Sequence, residues 1–90
     1  MFKIIMLPQA IEDVDKLEHD EPKAFKKFNK LIEELRTHPT TGTGHPHQLV
    51  GNRAGQWARS ITKKHRLVYT INDTEVLVLV LSAWGHYDDK

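Results

Sequence analysis

The sequence predicts an α+β fold, in which two helices pack on one face of a small, twisted, mainly antiparallel sheet and leave its other face open. Three observations predict it. A short β-rich run is followed by two segments with apolar residues at helical spacing, three β-rich segments occupy the second half, and a turn sequence joins the last two. The element order is therefore β-α-α-β-β-β. With 90 residues, the chain is expected to form a single domain, residues 1–90.

The N-terminal half predicts one strand and two helices. The β-rich run covers Phe2 to Leu7, and Pro8 after it suits the first turn of a helix. Residues 9–19 then repeat apolar side chains at helical spacing. Pro22 suits the start of a second helix, which ends at His38-Pro39 because the residue before a proline is disfavoured in helical conformation.

The C-terminal half predicts a loop and then three strands. Residues 39–55 hold most of the glycine and much of the turn chemistry, with one short strand at Gln48–Val50. The three strands are Gln56–Ile61, Arg66–Ile71 and Glu75–Ala83. The turn sequence Asn72-Asp73-Thr74 predicts that the last two strands form an antiparallel hairpin.

The formal net charge of +1 conceals a marked asymmetry along the chain. Residues 1–22 carry two lysines against six carboxylates, and residues 72–90 carry one lysine against four. Residues 23–71 carry ten lysine and arginine side chains against two glutamates. This distribution indicates a cationic face, as expected of a protein that meets phosphates or an acidic partner. Chance clustering on a solvated surface is the alternative.

Composition also excludes several classes of protein. The chain has no cysteine, so neither a disulfide framework nor a thiolate metal site is available, which fits a reducing compartment. No apolar stretch reaches the roughly 20 residues of a membrane span, and the N-terminal apolar run is too short for a signal peptide. We therefore expect a cytoplasmic protein with no membrane association and no cofactor.

The stretch from Gln56 to Ile71 interleaves cationic and aromatic side chains with β-formers, and His86-Tyr87 adds an imidazole and a phenol near the end of the chain. This combination suits RNA chemistry. Cutting RNA without a metal requires a base for the 2′-hydroxyl proton, a cation for the transition state and an acid for the leaving 5′-oxygen. Arg66 is the candidate cation, because a guanidinium is always charged and can grip two phosphate oxygens at once.

The element order and four motifs resemble the YoeB/Txe branch of the RelE toxin superfamily. The motifs are Gly42-Thr43-Gly44-His45-Pro46, Gly55-Gln56-Trp57-Ala58-Arg59 with Ile61, His65-Arg66-Leu67-Val68-Tyr69, and His86-Tyr87. The resemblance covers nearly the whole chain and implies a RelE/YoeB-like microbial ribonuclease fold. It further implies a type II toxin: a ribosome-dependent mRNA endonuclease that cuts the message in the A site and is inhibited by a cognate YefM-like antitoxin.

The same resemblance implies roles for individual residues. Arg66 matches the family's catalytic arginine, His86 its general acid, and Tyr87 the adjacent tyrosine that helps to position the substrate. His47 stands where the family has a glutamate base, and an imidazole can serve as a base near neutral pH. Two further cations of the family are absent, because Val50 replaces a lysine and Ser60 replaces an arginine.

The remaining candidates for binding RNA phosphates are Arg59, Lys63, Lys64 and His65. Strand alternation, however, places Arg59 on the opposite face of its strand from Ser60. The missing cations leave open a second interpretation, a ribosome-binding homologue with weakened cleavage. A third is a ParE-like toxin that binds DNA gyrase, and His86-Tyr87 argues against it.

Several of these residues also have structural interpretations. Trp57, Trp84 and Tyr69 are expected to pack in the core or on the sheet, and His65 can be a turn residue at the start of a strand. A zinc site built from His45, His47 and His86 is weakly supported, because no carboxylate lies nearby in sequence. A metal-independent site is therefore predicted.

The resemblance implies partners as well. Besides the antitoxin, the ribosome and its mRNA, these include a second copy of the toxin in a homodimer. Contact with operator DNA is implied only through the complex with the antitoxin.

Overall fold

The structure, a computed structural model, describes residues 1–85. In chain order its elements are β1 (Lys3–Met6), α1 (Pro8–Asp20), α2 (Pro22–Leu35), β2 (His47–Gln48), a 3₁₀ turn (Gly51–Arg53), β3 (Trp57–Ser60), β4 (Arg66–Asn72) and β5 (Leu77–Ser82). The predicted order of elements is confirmed, with the short strand of the central loop as β2. Prolines begin both helices, where their missing N–H costs nothing.

The five strands form one sheet in the order β1-β5-β4-β3-β2. Strand β1 runs parallel to β5, and the other neighbouring pairs are antiparallel. The sheet is therefore mainly antiparallel, as predicted. The predicted hairpin is β4–β5, whose pairing closes with Asn72 opposite Leu77.

Both helices pack on the same face of the sheet. The buried residues of this core come from α1, α2 and the last two strands: Ala10, Leu17, Phe28, Leu31, Leu35, Leu67, Tyr69, Val78 and Val80 among them. Trp57 and Trp84 are partly buried against this core, which confirms their predicted packing role. No helix among residues 1–85 is both long enough and apolar enough to cross a bilayer.

Most predicted strand limits differ from the observed ones by one residue, and the start of β5 and the end of β2 differ by two. Strand β5 begins at Leu77 rather than at Glu75 because the turn is longer: the Asn72 side chain accepts a hydrogen bond from the Glu75 amide at 2.9 Å, and Val76 has a φ of 54°. Strand β2 ends at Gln48 rather than at Val50, because the chain then enters the 3₁₀ turn.

A smaller apolar cluster lies on the sheet face opposite the helices. It consists of buried Leu49, Ala58 and Val68, with Leu81 packed against them. Val68 lies between Leu67 and Tyr69, both of which belong to the helix-side core, so alternation turns it to the other side. We call this side the open face.

Candidate functional site

Three of the predicted site positions lie together on the open face. His47 pairs with Ala58 across β2 and β3, and Ser60 pairs with Arg66 across β3 and β4. Directly paired residues share a face, and so do residues two apart on a strand. His47, Ser60 and Arg66 therefore flank the buried Ala58 on the same side of the sheet. From ordinary strand spacings, the Cα atoms of His47 and Arg66 are about 12 Å apart.

The imidazole of His47 is held in one orientation. Its Nδ1 lies 2.9 Å from the carbonyl oxygen of His45, to which it donates a hydrogen bond. In the neutral ring the lone pair is then on Nε2, so that atom can accept a proton. The His45 ring lies tilted beside it, with centroids 5.4 Å apart.

Two glycines in the first motif allow the loop before β2 to approach the sheet closely. The Gly44 carbonyl accepts a hydrogen bond from the Ser60 amide at 2.7 Å. A Cβ atom at Gly44 would lie 2.8 Å from the Ser60 carbonyl oxygen, and one at Gly42 would lie 2.4 Å from Oε1 of Glu34. Both glycines have positive φ. A side chain at Gly44 would push the loop that leads to His47 away from β3, and one at Gly42 would displace the Glu34 carboxylate.

Arg59 does not lie on the surface, contrary to its predicted role in phosphate binding. It is fully buried on the helix side of β3, with Nη1 3.0 Å from Oε1 of Glu34. Its Nε donates to the Tyr69 hydroxyl at 3.1 Å. Its remaining hydrogen bonds go to loop carbonyls, those of His38, Thr41 and Thr43. The guanidinium thus holds the central loop against α2 and is not accessible to RNA.

Hydrogen bonds around Arg59 also set the ionisation of its neighbours. The hydroxyl and amide of Thr43 both donate to Glu34, and together with Arg59 they lower the pKa of that carboxyl. Burial raises the pKa of the Tyr69 phenol. That phenol donates to the Pro39 carbonyl at 2.8 Å, so Tyr69 is structural, as one interpretation of the sequence predicted.

His65 is likewise buried, which does not fit a direct contact with RNA. Its ring is fully inaccessible, and its Nε2 lies 2.6 Å from Oε2 of Glu21 at the junction of the two helices. Its Nδ1 accepts a hydrogen bond from the Gly85 amide at 2.8 Å. The structural alternative, a histidine at the turn before β4, therefore describes its position better.

Lys63 and Lys64 are exposed in the turn between β3 and β4, where a phosphate backbone can reach them. Lys64 also lies 3.3 Å from Glu21 and 5.7 Å from the centre of the Trp84 ring. On α2, Lys27 reaches the Ile61 carbonyl at 3.4 Å. Lys27 therefore borders the same turn and extends its positive charge.

His86 and Tyr87 lie outside the described residues. The residue before them is held next to Arg66, whose amide donates to the Gly85 carbonyl at 3.0 Å. Among residues 1–85, no group of three or more histidine and carboxylate side chains has the arrangement of a metal site. Sequence reasoning missed Glu21 and Glu34, because each meets its histidine or arginine partner only through the tertiary fold.

The arrangement combines two of the parts that metal-free RNA cleavage needs. His47 provides an oriented imidazole, and Arg66 provides a permanent cation on the same face. For the third part, an acid for the leaving oxygen, the sequence predicts His86, which lies outside the described residues. Val50, at one of the expected cation positions, is 83% exposed and brings no charge.

Comparison with known proteins agrees with this fold and these motifs. Residues 6–87 match the family model described as YoeB-like toxin of bacterial type II toxin-antitoxin system. The toxin YoeB of Escherichia coli K12 is 36% identical over 76 residues, which cover 84% of this chain and 90% of that protein. The match to the family model includes the segment from Gly42 to Tyr87 that carries the candidate site.

Solved structures give the same assignment. A YoeB/ParE toxin from Agrobacterium tumefaciens superposes with a TM-score of 0.89 at 29% identity, covering 96% of this chain and all of that one. A toxin from Staphylococcus aureus, solved as a YoeB dimer, superposes with a TM-score of 0.82 at 34% identity, covering 96% of this chain and 98% of that one. A chain of a YoeB-YefM complex from Staphylococcus aureus superposes with a TM-score of 0.82 at 33% identity, covering 97% of this chain and 99% of that one. The chain belongs to the YoeB-like toxins of bacterial type II toxin–antitoxin systems.

Proposed function

We propose that this toxin is a metal-independent endoribonuclease that cuts mRNA in the A site of the ribosome and so inhibits translation in the cytoplasm. The observation that carries the proposal is the placement of His47 and Arg66 on the open face, with the His47 ring oriented by the His45 carbonyl. A gap of about 12 Å between their Cα atoms is one that the two side chains and one phosphodiester group can fill.

Each residue has a role in the proposed reaction. Nε2 of His47 removes the proton from the 2′-hydroxyl, and that oxygen attacks the adjacent phosphorus. Arg66 donates to the phosphate oxygens, on which charge accumulates in the transition state. His86 protonates the departing 5′-oxygen, and Tyr87 positions the nucleotide. The products are a 2′,3′-cyclic phosphate and a free 5′-hydroxyl, so no water is consumed in this step.

Binding to the ribosome is assigned to positive charge outside the reacting centre. Lys63 and Lys64 in the β3–β4 turn form a cationic edge together with Lys27 of α2, which reaches the Ile61 carbonyl beside this turn. Such an edge contacts the RNA backbone without reading sequence, so the affinity for ribosomes should fall steeply with salt. Arg59 and His65 have no part in this contact, because both are buried.

Primer extension on a defined message in a purified translation system tests the proposal. Cuts at defined positions that require ribosomes are expected, and they should disappear with Arg66→Ala or His86→Ala. Lys63→Ala is the matched control: it removes an exposed cation from the adjoining turn and should weaken ribosome binding while leaving the positions of the cuts unchanged. Cuts that persist in Arg66→Ala, or that form on free message at the same rate, would exclude this mechanism.

A second candidate is supported by Ser60, which occupies the position directly opposite Arg66. With an uncharged residue there, the chain would bind ribosomes and stall them with little cleavage. Ser60→Arg tests this, because a second guanidinium beside Arg66 should raise the single-turnover rate by about tenfold or more. Thr40→Arg, which adds the same charge in the exposed loop, is the control and should leave the rate unchanged.

The proposed partners follow from the relatives. A YefM-like antitoxin is proposed to bind and inhibit this chain, as the YoeB-YefM complex of the Staphylococcus aureus toxin supports. Homodimer formation is supported in the same way by the YoeB dimer from Staphylococcus aureus. Operator DNA would be contacted only by the toxin–antitoxin complex.

A further inference from the structure

The chain segment after β5 is held by side chains from other parts of the fold. The Ala83 amide donates to Oδ2 of Asp13 on α1 at 3.0 Å, and Asp13 is itself almost completely buried. Two residues later, Gly85 is held on both sides of its Cα atom: its amide donates to His65, and its carbonyl accepts from the Arg66 amide. The direction of the chain at Gly85 is therefore set by two consecutive residues at the start of β4.

The hydrogen bonds of His65 define its protonation state. Because the Gly85 amide donates to Nδ1, that nitrogen carries a lone pair and no hydrogen. The hydrogen is then on Nε2, which donates to the Glu21 carboxylate at 2.6 Å. This hydrogen bond is the first cause of the lowered pKa of Glu21, so the carboxylate stays charged and selects this tautomer.

Trp84 packs against His65 and so adds to the contacts that hold the segment after β5. Its ring centre lies 4.3 Å from that of the His65 imidazole. On α1, the Lys16 ammonium lies 5.2 Å from the centre of the indole, and the Lys64 ammonium lies 5.7 Å from it. Cations over an indole face contribute a further attraction. The contacts of Ala83, Trp84 and Gly85 thus join the last described residues to α1, to His65 with its partner Glu21, and to the β3–β4 turn.

We propose that His65 is a positioning residue for RNA cleavage: as a neutral imidazole held by Glu21, it fixes Gly85, the residue that directly precedes His86 and Tyr87 in the sequence. The inference rests on the proposed function, since it assigns His65 to the geometry of the same reaction. Small displacements of an acid from its leaving group are costly to the rate. The buried ring accordingly acts on catalysis through the Gly85 amide rather than by touching RNA.

Two substitutions of His65 separate this role from simple packing. In His65→Asn, the amide oxygen occupies a position similar to that of Nδ1 and can accept from Gly85. In His65→Gln, the amide nitrogen occupies a position similar to that of Nε2 and can donate to Glu21, but no acceptor remains for Gly85. We expect His65→Asn to keep kcat within about threefold of the parent and His65→Gln to lower it about a hundredfold. The ribosome concentration for half-maximal rate should be similar in both.

A milder variant covers the case in which substitution of the buried ring prevents folding. Glu21 is partly exposed, and Glu21→Ala removes the carboxylate that selects the tautomer, together with its ion pair to the exposed Lys64. We expect it to lower kcat by about tenfold, whereas the control Glu18→Ala, an exposed carboxylate on α1, should leave kcat unchanged. Equal kcat in Glu21→Ala and Glu18→Ala would overturn the proposal.

Hydrogen exchange of the Gly85 amide, followed by NMR, gives a readout that does not depend on cleavage. Exchange should be slow in the parent and in His65→Asn, and at least tenfold faster in His65→Gln. Equal exchange rates in the two variants, or a loss of kcat in His65→Asn as large as in His65→Gln, would overturn the proposal. A parent chain with a protected Gly85 amide that does not cut message would overturn the proposed function, and with it the catalytic role of His65.

Discussion

Arg59 and Glu34 form an ion pair, 3.0 Å between Nη1 and Oε1, in which the arginine side chain is completely buried and the glutamate is one-quarter exposed. The pair joins β3 to α2 and is completed by loop carbonyls and by the Tyr69 hydroxyl. A buried guanidinium with every donor occupied organises the loop that presents His47. Arg59, the charged residue of β3, therefore stabilises this loop from the helix side of the sheet.

Replacing Arg59 by methionine should destabilise the fold by about 3 kcal/mol, because it leaves the loop carbonyls and Glu34 without their donor. Urea unfolding followed by tryptophan fluorescence measures the change in the free energy of unfolding. Lys26→Met, which removes an exposed cation from α2, is the control and should change stability by less than about 0.5 kcal/mol. If Arg59→Met were as stable as the control, the structural role assigned to Arg59 would be wrong.

The observed positions of Arg59 and Ser60 show what local sequence can and cannot predict. Alternation correctly placed the two residues on opposite faces of β3. It could not identify Arg59 as buried, because the carboxylate that neutralises it is 25 residues away on α2, and the Thr41 carbonyl that accepts its hydrogen bond is 18 residues away in the central loop. A charged residue in a strand is ordinarily exposed, and only tertiary contacts reverse that expectation. The same applies to His65, whose partner Glu21 is 44 residues away.

Element order and the β4–β5 hairpin were predictable because each depends on local features, such as helical periodicity, proline positions and a turn sequence. The residues at which β2 ends and β5 begins were harder to predict. Val76 adopts a φ of 54°, a conformation that β-branched residues rarely adopt, and this lengthens the turn before β5. No local signal in the sequence marks this residue as part of the turn.

Gly44→Ala should be more destabilising than Gly51→Ala, although both glycines have positive φ. At Gly44 the new methyl group would lie 2.8 Å from the backbone oxygen of Ser60, whereas at Gly51 nothing lies within 4 Å. The conformational penalty alone is about 1–2 kcal/mol and applies to both. Urea unfolding of the two variants measures the difference. Equal losses of stability would mean that the loop can withdraw from β3 at no cost.

Stability should fall in acid through Glu34. Hydrogen bonds from Thr43 and the charge of Arg59 lower the pKa of this carboxyl in the folded protein below its usual value of 4.5. A lowered folded-state pKa contributes stability that is fully present above the unfolded-state pKa and is lost as the pH falls through the folded-state value. Glu34→Gln should therefore be less stable than the parent at neutral pH, and the difference should shrink below about pH 4.

Urea unfolding of the parent and Glu34→Gln at a series of pH values measures this difference. Glu33→Gln, which removes an adjacent but largely exposed carboxylate, makes the same change in net charge and serves as the control. Its stability should follow that of the parent at every pH. A gap between Glu34→Gln and the parent that stays constant from neutral pH to about pH 3 would contradict the assignment of this acid sensitivity to Glu34.

Replacing His47 should change the pH dependence of cleavage in a way that identifies the base. Imidazoles change charge near neutral pH, whereas carboxylates do so at lower pH. If His47 takes the proton from the 2′-hydroxyl, the single-turnover rate should rise with pH as the base at this position loses its own proton. In His47→Glu the rise should move to lower pH, while His47→Gln, which cannot accept the proton, should be slower by about a hundredfold or more.

His38→Glu, at an exposed position after α2, is the control for added negative charge and should keep the parent profile. A rising limb that stays in place in His47→Glu would assign the proton transfer to another group and leave His47 as a residue of the loop alone.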